Sequence, residues 1–131
     1  NYPHPTADEN LGELLVMNVP EGNIKWRYRQ RAPINTAALT TGGGLVFVGD
    51  WNRYYYALDA ETGDKLWQTR VATSAQGFPM SYEVNGRQYI AMPAGVGGAS
   101  WSGMLPRDLA PELNRPRHGN SIHVFALPKT Q

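Results

Sequence analysis

Few side chains in this sequence have the type and spacing to do chemistry unaided. None of the 131 residues is cysteine, which removes thiolate nucleophiles, thiolate metal ligands and disulfides from within the chain. Three histidines, His4, His118 and His123, stand without an HExxH or comparable ligand spacing, so an autonomous zinc site is not expected. The stretch Gly95-Val96-Gly97-Gly98-Ala99-Ser100 is rich in small residues. It follows a strand pattern, but no Lys-Ser/Thr pair and no helical pattern come after it, so it is not a phosphate-cradling loop. What such residues do permit is close approach of backbone to another group. Arg107, Arg115, Arg117 and His118 fall near one another in sequence and could line a polar entrance, although a solvated basic surface is the plainer role.

The elements that must position these groups are β-strands. Apolar residues make up 41% of the chain, charged residues 18% and aromatics 11%, with fourteen glycines and ten prolines. That is a turn-rich globular composition of one-domain length rather than a disordered one. A formal net charge of +1 leaves no electrostatic footprint for nucleic acid or an acidic membrane surface. No apolar run approaches the eighteen or so residues of a membrane span. The start, Asn1-Tyr2-Pro3-His4-Pro5, lacks a basic-then-apolar signal pattern, so in an exported protein the signal is expected to be removed or to lie elsewhere.

The chain also repeats itself. Val16-Met17-Asn18-Val19-Pro20-Glu21-Gly22-Asn23-Ile24-Lys25-Trp26 parallels Ala57-Leu58-Asp59-Ala60-Glu61-Thr62-Gly63-Asp64-Lys65-Leu66-Trp67, with both the glycines and the tryptophans 41 residues apart. A third, truncated copy is Val124-Phe125-Ala126-Leu127-Pro128, which echoes Tyr55-Tyr56-Ala57-Leu58-Asp59. A period near forty with short strands is that of propeller blades. The apolar run 44–49 suits an inner strand buried on both faces. Residues 54–59 and 65–70 read as further strands, and 82–84 with 87–92 as a hairpin closed by Asn85-Gly86, a pair suited to a type I′ turn. Residues 1–39 are read as the end of one blade, 40–93 as a full blade, 94–120 as the glycine loop and an insertion, and 121–128 as a closing strand. Trp26 and Trp67 are expected to dock on neighbouring blades, Trp51 to lie at the surface or an interface, and Tyr54, Tyr55 and Tyr56 to pack on alternating faces.

A blade is covered on both faces by its neighbours, so one blade with fragments of two others would expose apolar faces to water. A larger partner chain is expected to cover them, in preference to self-association or to an origin as one product of a processed precursor. The final strand has no hairpin mate in sequence and is expected to seek a sheet edge elsewhere.

Five stretches resemble one family in order along the chain. Ala57-x-Asp59-x-x-Thr62-Gly63-x-x-x-Trp67 resembles the tryptophan-docking motif of the quinoprotein dehydrogenases, which use pyrroloquinoline quinone (PQQ). The strand 40–50, the hairpin 79–91, the glycine loop 95–98 and the terminal Val124-Phe125-Ala126-Leu127-Pro128 are similar to further motifs of that family. The resemblance implies an all-β fold, the C-terminal segment of an eight-bladed propeller of four-stranded antiparallel sheets completed by another chain. It implies an enzyme oxidising an alcohol or sugar hydroxyl in the periplasm by hydride transfer to PQQ, with a calcium or lanthanide ion as Lewis acid and a carboxylate base. A cytochrome or quinone would accept the electrons.

The family's metal ligands and catalytic Asp belong to earlier blades that match nothing here, so the resemblance implies no catalytic residue and no metal ligand in this chain, which alone would be inactive. Three positions are implied to lie beside the cofactor. Asn35 falls where relatives place a Trp or Asn near the quinone, though capping a loop turn is an equally open role for it. Gly98 and Ala99 fall where relatives approach PQQ through backbone, with Ala99 replacing a usual aromatic; a tight turn at a strand end is the alternative. Asn18 for Asp and Glu21 for Thr depart from the docking motif in the first copy. A non-catalytic Trp-repeat propeller, a scaffold for protein partners, is the alternative function.

Overall fold

The computed structural model describes residues 5–96, 105–113, 116 and 118–126. Among them, nine strands form three separate antiparallel sheets. Strands β1 (Gly12–Asn18) and β2 (Asn23–Gln30) make a hairpin. The central sheet has four strands in chain order, β3 (Leu39–Thr40), β4 (Leu45–Gly49), β5 (Tyr54–Asp59) and β6 (Lys65–Arg70). The third sheet holds β7 (Met80–Val84), β8 (Arg87–Ala94) and β9 (Ser121–Ala126). One short helix, α1 (Leu105–Leu109), lies between β8 and β9.

The strand boundaries follow local sequence closely, but the partition among sheets differs from a single blade over 40–93. The four-stranded sheet ends at Arg70, and the Met80–Ala94 hairpin belongs to the next sheet. Residues 71–79 carry the chain from one sheet to the other, a step that periodicity within each strand does not reveal. The last strand also finds a mate within the chain: β9 runs antiparallel to β8, from Tyr89 opposite Ala126 to Ala94 opposite Ser121. Residues 127 and 128 of the expected closing strand lie outside the described residues.

The inner strands of the central sheet, β4 and β5, are covered on both faces, and their side-chain alternation explains how. Val46, Val48, Tyr56 and Leu58 join Trp26 in a core against the first sheet, with Leu14, Val16 and Tyr28 packed on it. Phe47, Tyr55 and Ala57 point the other way and meet Ile90, Met92 and Ala94 of the third sheet. The tyrosine run therefore alternates faces, as its spacing predicts. Trp51 differs from expectation: it is only 2% exposed, because its turn is folded under by residues 33 and 74, which bond its backbone.

Trp26 marks how the first two sheets meet. Its indole Nε1 donates to the Ala60 carbonyl at 3.0 Å, in the β5–β6 turn. That turn is built by its own side chains: Asp59 Oδ1 accepts from the amides of Glu61 and Thr62, at 2.7 and 3.0 Å. Gly63 has φ +81, and a Cβ there would lie 2.7 Å from the Trp26 ring. The glycine therefore answers two demands at once, a left-handed backbone and room for the indole. Trp67 stands edge-on to Phe125 of the third sheet, with ring centroids 5.1 Å apart. Lys25 pairs with Glu61 across the same boundary, but so exposed a pair adds little.

Candidate functional site

The connections between sheets gather at one end of the structure. Asn35 N donates to Gly49 O at 2.9 Å, Trp51 N to Pro33 O at 2.9 Å, and Ala75 N to Asp50 O at 3.0 Å. Gln76 N donates to Pro93 O at 3.1 Å, and Gly95 N to Ser74 O at 2.9 Å. Each loop thus satisfies the backbone groups of the strand end beside it, which is what lets an irregular segment stay partly buried. Thr36 Oγ1 accepts from Gly49 N at 2.8 Å, and the buried Ser74 hydroxyl donates to Trp51 O at 2.9 Å. Val96 N donates to Asn120 Oδ1 at 3.0 Å, which pins the entrance to the glycine stretch.

Asn35 sits within this cluster. It is half-buried, its Nδ2 donates to the Ala75 carbonyl at 3.3 Å, and its Oδ1 has no hydrogen-bond partner among the described residues. Gly95 bonds Ser74, the neighbour of the residue Asn35 bonds, so the fold brings Asn35 and the start of the glycine stretch to one loop. Gly98 and Ala99, with Gly97, Trp101, Arg115 and Arg117, lie outside the described residues. Among the described residues, no three His, Asp or Glu side chains gather as a metal site. His123 bonds Ser121 and stacks on Phe125.

Sequence reasoning missed the supporting residues. Asp50 is 1% exposed; its carboxylate accepts from Tyr56 Oη, from Gln30 Nε2 at 3.1 Å and from Tyr54 N at 2.9 Å. Loss of hydration raises its pKa above the ordinary carboxylate value, the hydrogen bonds opposing that rise without cancelling it. The Tyr56 hydroxyl is pushed up by burial and by its bond to Asp50. Ser74, Ala75 and Asn120 carry no motif; residue 50 was marked only as a turn-forming Asp that ends the family-like strand 40–50.

The family model for the PQQ-type glucose/ethanol/alcohol dehydrogenase β-propeller domain matches residues 8–90. Among curated proteins, methanol dehydrogenase [cytochrome c] subunit 1 of Methylobacterium organophilum is 40% identical over 96% of this chain and 23% of its own length. The quinoprotein ethanol dehydrogenase of Pseudomonas aeruginosa is 35% identical over 92% of this chain and 19% of its own length. Thus the chain spans about a fifth to a quarter of the length of these relatives. Among solved structures, a europium-containing methanol dehydrogenase superposes with a TM-score of 0.78 at 26% identity, over 95% of this chain and 24% of that one. The quinohemoprotein alcohol dehydrogenase of Comamonas testosteroni gives 0.69 at 26% identity, over 90% of this chain and 18% of its own.

Proposed function

The chain belongs to the PQQ glucose/ethanol/alcohol dehydrogenase β-propeller family, and from that premise we propose that it builds the closing blades of a quinoprotein dehydrogenase. The observation that carries this reading is the gathering of the inter-sheet connections at one end, with the Asn35 amide among them and its Oδ1 unpartnered among the described residues. When bound, PQQ supplies a two-electron acceptor for an alcohol or sugar hydroxyl, and a calcium or lanthanide ion beside it supplies Lewis acidity. The europium-containing neighbour supports a lanthanide as readily as calcium. The names of the relatives favour alcohols as substrates, and one names cytochrome c, the electron acceptor we assign here.

The role of this chain's own residues is to hold and orient. Asn35 would hydrogen-bond the cofactor, because its amide is tethered by one weak bond rather than fully spent. Gly98 and Ala99 are assigned backbone approach to the same group. Trp51 and Ser74 underpin the loops and keep water from beneath them. The base and the metal ligands are assigned to the remaining blades, whether on the same polypeptide or on a partner, and the assembled enzyme to the periplasm.

PQQ titration of the complete protein tests the assignment of Asn35. Asn35→Ala is expected to weaken PQQ binding about 3- to 10-fold, the worth of one hydrogen bond, with the thermal midpoint little changed. Unchanged affinity would return Asn35 to a loop cap. Failure of the unsubstituted protein to take up PQQ would overturn the enzyme reading in favour of a propeller scaffold.

A further inference from the structure

The Asn35 amide is held more loosely than the backbone around it. Its Nδ2 reaches the Ala75 carbonyl at 3.3 Å, longer than a usual N–H···O bond. That bond leaves Oδ1 and the second N–H for a ligand. The backbone of the loop is tied more tightly, Asn35 N to Gly49 O at 2.9 Å and Ala37 N to Gly77 O at 3.0 Å. The direction of the amide is therefore governed chiefly by the Cα–Cβ bond of Asn35, which follows from where its two flanking peptides lie.

Gly49, at the end of β4, grips both of those peptides. Its carbonyl accepts from Asn35 N on one side, and its own N–H donates to Thr36 Oγ1 at 2.8 Å on the other. Gly49 also sets how near the amide's acceptor can come. A Cβ there would lie 2.6 Å from the Tyr55 ring and would strike the Ala75 methyl, so glycine is what admits Ala75. Ala75 is fully buried, and its N–H donates to Asp50 O at 3.0 Å. One clamp thus holds the backbone of Asn35 and the carbonyl that its amide meets, and the half-buried Thr36 closes it with a side-chain hydroxyl.

Resting on the assignment of Asn35 to PQQ, we propose that Thr36 is a positioning residue. Its hydroxyl, acting through Gly49, holds the Asn35 amide in the orientation that bonds the cofactor, without itself touching a cofactor atom. Loss of the hydroxyl frees the peptide after Asn35 and leaves the Gly49 N–H without its acceptor, so the amide is spread over more directions when the ligand arrives.

PQQ titration of the complete protein, freed of cofactor, tests this with two substitutions. Thr36→Val keeps the side-chain shape and removes the acceptor, whereas Thr36→Ser keeps the hydroxyl and removes the methyl. Thr36→Val is expected to weaken PQQ binding about 3- to 10-fold, and by no more than Asn35→Ala does, since it acts only through that bond. Thr36→Ser is expected to bind as the natural protein does. Thr36→Val added to Asn35→Ala is expected to weaken binding no further, because residues that act as one unit are not additive. Should Thr36→Val not fold, Thr36→Ala takes its place, since the half-buried site then admits a water to the Gly49 amide. Full affinity without the hydroxyl, equal losses in the serine and valine variants, or an undiminished loss in the Asn35→Ala background would overturn the positioning role while leaving Asn35 at the cofactor. Unchanged affinity in Asn35→Ala would instead remove Asn35 from the cofactor, and the role of Thr36 with it.

Discussion

Asp50 shows how a single residue joins two sheets. Its carboxylate receives Gln30 from β2 and Tyr56 from β5 while almost wholly removed from water. Replacement by Asn sets an NH2 group against donors that need an acceptor, so Asp50→Asn is expected to cost about 1–3 kcal/mol. The pH dependence has a definite sign. The folded-state pKa is raised, so the folded protein binds this proton more tightly than the unfolded chain. Stability from this group is therefore fully present below the ordinary Asp value, about 4, and declines as pH rises through the folded pKa. The advantage of the natural protein over Asp50→Asn should shrink across that interval, as read by urea midpoints at successive pH values; an advantage that grows with pH would contradict it. At this scale the sequence was only partly legible. Asn35 could be singled out through family resemblance, whereas the role of Asp50 arises from burial between two sheets, which no local pattern of residues displays.

At the scale of elements, local chemistry was far more readable. Asn85 and Gly86 take φ values of +51 and +73, as a type I′ turn requires, and β5 and β6 begin and end where the alternation and turn residues place them. The pairing of β9 with β8 was not readable, because nothing in strand sequence specifies which distant edge is met. The Trp26 contact with the β5–β6 turn supplies a prediction for how elements lock together. Gly63→Ala adds a methyl within 2.7 Å of the indole at a residue whose φ is +81. It is expected to destabilise by about 1–3 kcal/mol. Gly43→Ala, where no atom lies within 4 Å of the added Cβ, should change stability by under about 0.5 kcal/mol. Equal denaturation midpoints for the two variants would contradict the docking account.

For the molecule as a whole, the outer faces carry the argument. Leu15, Met17 and Ile24 on the first sheet are exposed, and so are Met80, Tyr82, Val84, Ile122 and Val124 on the third. The inner strands of the central sheet, covered on both sides, show what such faces look like once another sheet is stacked on them. Continuing the same stacking through further blades would cover the outer faces in turn and close a ring around the end where the loops gather. That is the arrangement family membership leads one to expect, and it accounts for a chain matching only 23% of the methanol dehydrogenase relative's length. The most direct test is native mass spectrometry of the protein as purified from the cells that produce it, followed by the same sample denatured. The account predicts an assembly that holds this sequence together with the remaining blades and carries extra mass equal to PQQ and one cation, released on denaturation. A stable monomer of this chain alone, with no added mass, would contradict it.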